Sequence, residues 1–393
     1  MDDVVIVGVA RTPIGKFNGA YAALRATDLG AAAIRAAVER AGVEPAHINE
    51  CIMGNVVSAG LGQNPARQAA LAAGLPTSVG ALTINKVCGS GLKAVMLAAS
   101  LIRSGDAEMV VAGGMEHMSA APYLLPGARH GYRLGNGQLV DAVIHDGLWC
   151  AFEQQHMGHS AEWIARTQRV TRLQQDSFAL QSHQRAVATQ DAGLFSAEVT
   201  PVSLPGTQGQ ISLVTADENP RRDTSLQALA KLRPAFDPEG SVTAGNAPGI
   251  TDGAAALLLT SAPYAARLGL TPLARLGQSA QAAVRPLELF TAPPVAMQAL
   301  MDRAGTHVDD YDLFELNEAF AAQVIANIRT AGLDPDRVNV HGGAIALGHP
   351  IGASGARVLV TLIYALRARK GRRGMAALCL GGGEAVALDL ELV

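Results

Sequence analysis

The chain has 393 residues, of which 49% are hydrophobic and 17% are charged, and its formal net charge is −3. This length exceeds one ordinary hydrophobic core and favours two or three packed modules. The near-neutral charge balance offers no broad basic surface, which argues against nucleic acid or an anionic membrane as a partner. Glycine is frequent, with 42 residues, and aromatic residues make up only 4%, a composition typical of tightly packed α/β layers.

The N-terminal sequence MDDVVIVGVA lacks the basic start and the apolar core of a secretory signal. No uninterrupted apolar run of about 18 residues is present, so no transmembrane helix is expected. The cysteines are widely spaced and form no CxxC pair, which argues against a disulfide framework and against a zinc site. They are Cys51, Cys88, Cys150 and Cys379. These features predict a cytoplasmic protein without a metal centre.

Short β-branched runs alternate with amphipathic stretches along the first third of the chain. A helix is predicted over Thr27–Ala41, which begins with Thr27 and Asp28 as a cap and stops at Gly42. A second helix is predicted over Ser90–Arg103, and buried strands over Val4–Val9, Glu50–Val57 and Glu108–Ala112. Strands that alternate with helices indicate parallel pairing, with helices on the faces of the sheet.

An internal repeat divides the chain into two similar α/β halves. Four landmarks of the first half recur in the same order in the second half, 262 to 268 residues later. The paired landmarks are Gly42 with Gly305, Asn55 with Asn317, Ser90 with Ser354, and Glu116 with Glu384. The domain prediction is therefore a first core half over 1–121 plus 248–270 and a second over 271–393.

The region between the halves, residues 122–247, does not belong to the repeat. It contains the Gly/Pro-rich pieces PYLLPG, LGNGQ and SLPGTQGQ and one convincing helix over Arg172–Asp191. Large insertions on a regular α/β scaffold commonly carry substrate binding. We therefore predict an inserted loop domain that binds a ligand.

Cys88 lies in NKVCGSGLKAV, between a strand-like run and a predicted helix. Amides at a helix N-terminus stabilise a thiolate, so this position predicts a pKa below the usual value of about 8.5. One alternative is a small buried cysteine that caps a strand. Another is a loose dinucleotide fingerprint, since Gly89–Ala94 matches G-x-G-x-x-A, but that motif normally follows the first strand.

Three further polar residues follow strands or precede a helix. His349 lies between two glycine clusters in HGGAIALGHPIGASGARVL, which indicates a crowded backbone or a closely approaching ligand. Cys379 ends an apolar strand in LCLGGGEA, where a core cysteine is the alternative, and Asn317 in NEAF could instead cap a helix.

The repeat suggests how these residues converge. It places Cys88 and His349 on corresponding turn-to-helix connections, and it matches the glycine turn after Cys379 with Ala112–Glu116. Two thiols and an imidazole without a metal pattern suit acyl-thioester chemistry, in which one thiol attacks a carbonyl and the other moves a proton on carbon.

Six longer motifs follow one another along the chain, namely NKVCGSGLKAV, GGMEHMS, TAGNAPGITDGAAA, NEAFAAQ, NVHGGAIALGHPIGASGAR and CLGGGEA. In their sequence and order, these motifs resemble those of the thiolase family. The resemblance covers nearly the whole chain and is closest to the short-chain biosynthetic branch of the family. The resemblance implies two repeated βαβαβαββ core halves in a layered α-β-α-β-α sandwich with an inserted loop domain. It further implies reversible condensation of two acetyl-CoA to acetoacetyl-CoA and CoA.

The resemblance also implies roles for five residues. Cys88 matches the acylated nucleophile, His349 the base that activates it, and Cys379 the acid/base acting on carbon. Asn317 matches the residue that, with His349, forms one oxyanion hole through a water. The amides of Cys88 and Gly381 match the second oxyanion hole.

For coenzyme A, the resemblance places Arg221 near the adenine and phosphates, and Met157 with His156 in a pocket that limits the acyl tail. The implied coenzyme A and acyl site comprises Leu148, His156, Met157, Arg221, Ala235, Phe236, Ala244, Pro248, Ala319 and Phe320. Core packing is the alternative for the apolar members. Three departures from the family pattern, Ala228, Pro248 and His341, bear on coenzyme A affinity and chain length.

No resident cofactor is expected, since coenzyme A thioesters are the substrates, and a homo-oligomer, dimer or tetramer, is implied. The segment Gly127–Asp141 resembles the family's tetramerising loop. The main alternative is a degradative 3-ketoacyl-CoA thiolase of broader chain length. A condensing enzyme acting on acyl carrier protein, a silent acyl-CoA-binding relative and a dinucleotide-dependent dehydrogenase are weaker alternatives.

Overall fold

The computed structural model describes residues 3–205 and 210–393, so part of the Gly/Pro-rich piece SLPGTQGQ lies outside the described residues. The strands are β1 Val4–Arg11, β2 Gly15–Lys16, β3 Glu50–Gly54, β4 Gly80–Ile84, β5 Met109–His117, β6 Tyr123–Leu124, β7 Val140–Asp141, β8 Trp149–Cys150, β9 Gln155–His156, β10 Val202–Pro205, β11 Ile211–Val214, β12 Thr251–Ser261, β13 Ala274–Ala283, β14 Leu313–Leu316, β15 Arg373–Leu380 and β16 Glu384–Leu392. The helices are α1 Ala26–Ala41, α2 Pro65–Ala72, α3 Ser90–Ser104, α4 Met157–Thr167, α5 Arg172–Asp191, α6 Leu226–Ala230, α7 Ala262–Arg267, α8 Ala292–Ala304, α9 Ala321–Ala331, α10 Ala344–Leu347 and α11 Ile351–Arg369.

One sheet runs through both halves in the order β14-β15-β16-β13-β1-β12-β5-β3-β4, with β2 paired to β12. The pairs β3–β4, β3–β5 and β14–β15 are parallel, as the alternation of strands and helices predicts. The halves are joined where β1 pairs antiparallel with β13 through Val5–Arg275 and Ile6–Ala274.

The strands separate two hydrophobic cores, because successive side chains of a strand point to opposite faces. Val4 and Ile6 of β1 belong to the inner core around α3 and α11, whereas Val5 and Val7 face the outer core under α1 and α2. Helix α8 covers β13 and β16 of the second half. The predicted α-β-α-β-α layering of the thiolase fold is thereby confirmed.

The central layer consists of helices α3 and α11, which touch at two glycines. A Cβ on Gly91 would lie 2.6 Å from the amide nitrogen of Ala356, and one on Gly355 would lie 2.3 Å from that of Leu92. These contacts require glycine, and they hold together the two helices that begin two residues after Cys88 and His349.

Two helical segments are long and apolar enough to cross a membrane by length and composition alone. They are Val87–Ser104 and Ile351–Arg369, and 56% and 83% of their residues are buried inside the fold. Their place in the central layer accounts for their apolar composition as that of core helices.

Several predicted boundaries were wrong by a few residues for visible reasons. Helix α1 begins one residue earlier, and its N-cap is Arg25, whose N–H donates to Asp28 Oδ2 over 2.8 Å. The predicted strand Glu50–Val57 stops at Gly54, since the amides of Val56 and Val57 donate to the Glu116 carboxylate instead.

The predicted turn at Ala112–Glu116 was also wrong. These residues lie inside β5, which pairs with β12 as far as His117. The glycines there allow other backbone segments to approach closely, since a Cβ on Gly114 would lie 1.9 Å from the carbonyl oxygen of Gly352. The corresponding turn lies in the second half, between β15 and β16.

The second half has lost one strand of the implied βαβαβαββ pattern. At the place that corresponds to β4 there is a single bridge between Phe314 and Val338. The Asn339 side chain takes over the pairing, because its Oδ1 accepts the Leu316 N–H over 2.9 Å and its Nδ2 donates to the Leu316 carbonyl over 2.8 Å.

Candidate active site

A cavity of about 660 Å³ opens where the two halves and the intervening segment 122–247 meet. Cys88 belongs to the first half, His349, Cys379 and Gly381 to the second, and all four line this cavity. The structure therefore brings together the residues that the repeat predicted would converge. Asn317 lies behind the wall and reaches the site through His349.

Cys88 follows β4 and precedes α3 by two residues, as predicted. The preceding Val87 adopts a φ of 47°, an uncommon conformation for a β-branched residue, which indicates strain that the surrounding structure holds in place. The Cys88 thiol is half-buried and faces the cavity.

The prediction of a lowered thiol pKa was wrong. Burial raises the pKa of Cys88 to about 12, and the backbone amides of Gly381 and Cys88 itself, which donate to the sulfur, lower it only in part. The Glu116 charge raises the pKa further. The resting thiol is therefore neutral and needs a base to attack a carbonyl.

His349 lies on the short connection between α10 and α11. Its Nδ1 atom is 2.5 Å from Ser354 Oγ, and the Ser354 hydroxyl donates to the Pro350 carbonyl over 3.0 Å. Because the single serine proton is used there, Nδ1 carries the imidazole proton and Nε2 has a free lone pair. Burial lowers the pKa of His349 to about 3, with a smaller contribution from Arg357, so the ring is neutral.

Asn317 is fully buried at the end of β14, where its N–H donates to the Ala377 carbonyl over 3.0 Å. Its Nδ2 atom lies 3.4 Å from His349 Nε2, so the amide faces the free lone pair. Its Oδ1 atom has no hydrogen-bond partner among residues 3–205 and 210–393. A buried acceptor of this kind can hold a water or a ligand donor.

Cys379 is the penultimate residue of β15 and is 1% exposed. Burial, followed by the charge of Cys88, holds the pKa of Cys379 well above the usual thiol value. Gly382 and Gly383, in the turn that follows, have φ angles of 91° and 92° and thus require glycine. This turn aims the Gly381 amide at the Cys88 sulfur.

All ten residues that were predicted to bind coenzyme A and the acyl group line the cavity, namely Leu148, His156, Met157, Arg221, Ala235, Phe236, Ala244, Pro248, Ala319 and Phe320. Among the three departures, only Pro248 lies in the cavity wall. Ala228 lies in α6, and His341 is buried against Phe195, with ring centroids 6.1 Å apart.

Sequence reasoning missed several residues around the site. Phe290, on the 3-10 turn Pro286–Thr291, and Cys150, in β8, line the cavity, and neither stands in a recognisable motif. Glu116 is fully buried and accepts hydrogen bonds from four N–H groups. The repeat contained a signal for Glu116, because Glu384 is its counterpart.

Glu318, beside Asn317, is a second buried carboxylate that sequence reasoning had left without a role. It accepts from Ser182 Oγ over 2.7 Å and from the Ile345 N–H over 3.0 Å. It thereby ties helix α5 of segment 122–247 to α10, which leads to His349. Glu318 thus helps to position the loop that carries His349.

The dinucleotide alternative is not supported by the packing around Gly89–Ala94. Helix α11 packs directly against Gly91, so no space is left for a phosphate at that turn. Among the described residues, no group of three or more His, Cys, Asp or Glu side chains is placed to hold a metal ion.

Comparison with known proteins agrees with this geometry. Residues 4–263 match the family model "Thiolase, N-terminal domain", and residues 270–392 match "Thiolase, C-terminal domain". The chain is 53% identical over 391 residues to an acetyl-CoA acetyltransferase of Cupriavidus necator, and the match covers 100% of each chain.

A second relative, an acetyl-CoA acetyltransferase of Escherichia coli, is 52% identical over 392 residues, covering 100% of this chain and 99% of its own. The crystal structure of the Bacillus anthracis acetyl-CoA acetyltransferase superposes with a TM-score of 0.98 at 41% identity. That match covers 100% of this chain and 99% of the other. The chain belongs to the thiolase family.

Proposed function

We propose that this thiolase is an acetyl-CoA C-acetyltransferase, which condenses two acetyl-CoA reversibly to acetoacetyl-CoA and CoA. The observation that carries the proposal is the meeting of Cys88, His349 and Cys379 in one cavity. The full-length relatives that share about half of its residues carry the name of this activity. Acetyl-CoA, acetoacetyl-CoA and CoA are then the ligands.

In the first half-reaction, the Cys88 sulfur attacks the carbonyl carbon of acetyl-CoA. Both Cys88 and His349 are neutral at rest, so His349 Nε2 takes the thiol proton as the carbon–sulfur bond forms. The tetrahedral intermediate expels the CoA thiolate, which takes up a proton and leaves as CoA. The acetyl group then remains on Cys88.

In the second half-reaction, Cys379 removes a proton from the methyl group of a second acetyl-CoA. Burial keeps the Cys379 thiol protonated at rest, so it must first give its proton to the departing CoA thiolate. The resulting carbanion attacks the acetyl carbonyl on Cys88. Collapse of the adduct breaks the bond between the acetyl carbon and the Cys88 sulfur and releases acetoacetyl-CoA, and His349 Nε2 returns its proton to the Cys88 thiolate.

Two groups of donors would stabilise the negative oxygens. The Cys88 and Gly381 amides already converge at the sulfur, where the oxyanion of the acetyl group forms. His349 Nε2, once protonated, and a water held by Asn317 Oδ1 would face the enolate oxygen. Removing one such donor costs on the order of 3 kcal/mol of transition-state stabilisation.

Coenzyme A would extend outward from the thiols along segment 122–247. Leu148, Ala235 and Ala244 offer an apolar wall to pantetheine, and exposed Arg221 offers a cation to the phosphates at the mouth. Pro248 can contribute only backbone or apolar contacts, since it has no hydroxyl. No resident cofactor is needed, because both substrates carry their own activating thioester.

We also propose a cytoplasmic homo-oligomer, a dimer or tetramer. Segment 122–152 exposes several large apolar side chains, including Leu134 at 99% and Phe152 at 69%. The edge strand β4 exposes Leu82 at 48%. Surfaces of this kind commonly mark protein interfaces. Light scattering of the purified protein tests the oligomeric state, and a monomer would contradict the proposed homo-oligomer.

Acetylation of the intact enzyme tests the function. After incubation with acetyl-CoA, peptide mass spectrometry should find one acetyl group on Cys88 and none on Cys51, which lies outside the cavity. The Cys88→Ser variant should lose thiolysis of acetoacetyl-CoA. An unmodified Cys88, or acetylation of Cys150 or Cys379 instead, would rule out the proposed course.

A further inference from the structure

We propose that Phe290 closes the acyl end of the cavity and restricts the enzyme to short 3-ketoacyl-CoA substrates. This inference rests on the proposed thiolase function and adds the residue that limits the length of the acyl chain. Phe290 lines the cavity together with Leu289, yet it is only 2% exposed. It belongs to the same hydrophobic cluster as Cys379, the residue that works on the α-carbon.

A row of aromatic rings crosses the cavity wall, and its three phenylalanines pack in the same hydrophobic cluster as Cys379. His156 stacks on Phe236 at 4.7 Å, Phe236 meets Phe320 edge-on at 6.2 Å, and Phe320 meets Phe290 edge-on at 5.5 Å. Edge-to-face geometry at these distances is favourable for aromatic rings. The row joins segment 122–247 to the second half and ends at Phe290.

The start of helix α4 packs closely against this row of rings. A Cβ on Gly158 would lie 2.3 Å from two atoms of the Phe236 ring, so only glycine lets the helix approach it. Ala161, Ile164 and Ala322 fill the space behind the rings and are fully buried. An acyl chain that grows beyond the rings therefore meets packed side chains and finds no channel.

The backbone that carries Phe290 is fixed by a buried relay of hydrogen bonds. The Ala319 N–H donates to Gln323 Oε1 over 3.1 Å, and Gln323 Nε2 donates to Asn327 Oδ1 over 2.7 Å. Asn327 Nδ2 then donates to the Phe290 carbonyl over 2.8 Å. All of these side-chain atoms are buried, so a longer acyl chain displaces Phe290 only by leaving polar groups unpaired.

The packed wall around Phe290 would discriminate between acyl chains of different length by excluded volume. In a hydrophobic pocket, one methylene that must be excluded or accommodated changes kcat/KM by about tenfold or more. Met157, the short-chain residue implied by the sequence, is unbranched and adapts its shape. The rigidly held Phe290 therefore sets the limit that Met157 alone cannot set.

The test measures thiolysis of 3-ketoacyl-CoA substrates with four, six, eight and ten acyl carbons. Wild type should be active with four carbons and should fall at least tenfold in kcat/KM at eight. The Phe290→Ala enzyme should raise the eight-to-four ratio of kcat/KM at least tenfold. The milder Phe290→Leu change keeps more of the packing and should raise the six-to-four ratio of kcat/KM.

Phe195→Leu is a matched control, because Phe195 is 5% exposed, belongs to a separate hydrophobic cluster and does not line the cavity. It should leave the ratios unchanged. The inference is overturned if wild type cleaves eight carbons as well as four, or if both folded Phe290 variants lose activity equally at all lengths. Failure of the proposed function would look different, since wild type would then cleave none of the substrates.

Discussion

Asn317 Nδ2 lies 3.4 Å from His349 Nε2, and both side chains are buried. The contact links the end of strand β14 to the loop before helix α11, and it fixes which imidazole nitrogen faces the substrate. Since Ser354 holds the other nitrogen at 2.5 Å, the imidazole has one orientation and one tautomer. In the proposed mechanism, His349 is the proton acceptor, and His349 and Asn317 together would form the later oxyanion hole.

Asn317→Ala should impair the carbon–carbon step more than acyl transfer. The change removes the amide that holds the enolate water, so kcat/KM for condensation should fall about 10²- to 10³-fold. Acetylation of Cys88, which needs only the His349 base and the Cys88 and Gly381 amides, should slow much less. Rapid-quench mass spectrometry of acetyl-Cys88 and steady-state condensation separate the two steps.

Asn317→Asp is the matched control for volume. It keeps the shape of the side chain but places a carboxylate against the imidazole, which raises the pKa of His349. The activity should then show an acid limb that the wild type lacks, with loss as the pH falls through the new pKa. Equal loss of both half-reactions in Asn317→Ala would contradict the division of roles.

The raised thiol pKa of Cys88 predicts an unusual alkylation profile. Because its pKa is raised to about 12, the rate of reaction with iodoacetamide should grow about tenfold per pH unit between pH 7 and 10. No plateau should appear near 8.5, where an ordinary thiol is half ionised. Peptide mass spectrometry provides the rate for Cys88 alone.

Acetyl-CoA should protect Cys88 in the same experiment, whereas fully buried Cys51 should stay unmodified with or without it. A rate that levels off below pH 8 would show instead that the helix N-terminus and the two amides outweigh burial.

The sequence predicted the site better than it predicted its energetics. Cys88, His349, Cys379 and Asn317 stand in long motifs beside glycines, and the repeat gave a reason for them to meet. The pKa of Cys88 could not be read in the same way, since it depends on how completely distant segments bury the sulfur. That burial is a property of the assembled layers.

Phe290 and Glu116 show two further limits of sequence reasoning. Phe290 lies in an irregular turn with no periodicity, so nothing local indicated that it belongs to the same hydrophobic cluster as Cys379. Glu116 lies in a strand that the glycine pattern made look like a turn. The loss of a second-half strand depends on the Asn339 side chain, which imitates backbone pairing that no propensity describes.

Glu116→Gln should reduce kcat far more than it changes KM. Glu116 holds the Gly352 N–H over 2.9 Å, three residues after His349, and it also accepts from Asn55 Nδ2 and the Val56 and Val57 amides. An amide NH₂ placed among these donors repels them and shifts the start of α11. A shift of about 1 Å at the base can cost about 10²-fold in rate.

Glu384→Gln is the matched control from the other half of the repeat. Glu384 is partly exposed and pairs with Lys86, an ion pair worth at most about 1 kcal/mol. The kcat of Glu384→Gln should fall much less than that of Glu116→Gln. If the Glu116 variant keeps wild-type kcat, or if only its KM changes, Glu116 does not position the His349 loop.

His341→Asn should make the protein less sensitive to acid without changing its activity. Burial lowers the pKa of His341 to about 4, so as the pH falls below about 6.5 the unfolded chain takes up a proton that the folded chain does not. The stability that His341 contributes is therefore present above pH 6.5 and lost between 6.5 and 4. At pH 5.5 the loss amounts to about 1 kcal/mol.

Thermal unfolding at pH 7.5 and 5.5, at one protein concentration, measures this difference. The drop in Tm between the two pH values should be smaller for His341→Asn than for wild type. His307→Asn, at an exposed histidine, should behave like wild type. Because His341 lies outside the cavity wall, KM for acetoacetyl-CoA should stay unchanged. A raised KM would instead place His341 within reach of coenzyme A, as its departure from the family pattern first suggested.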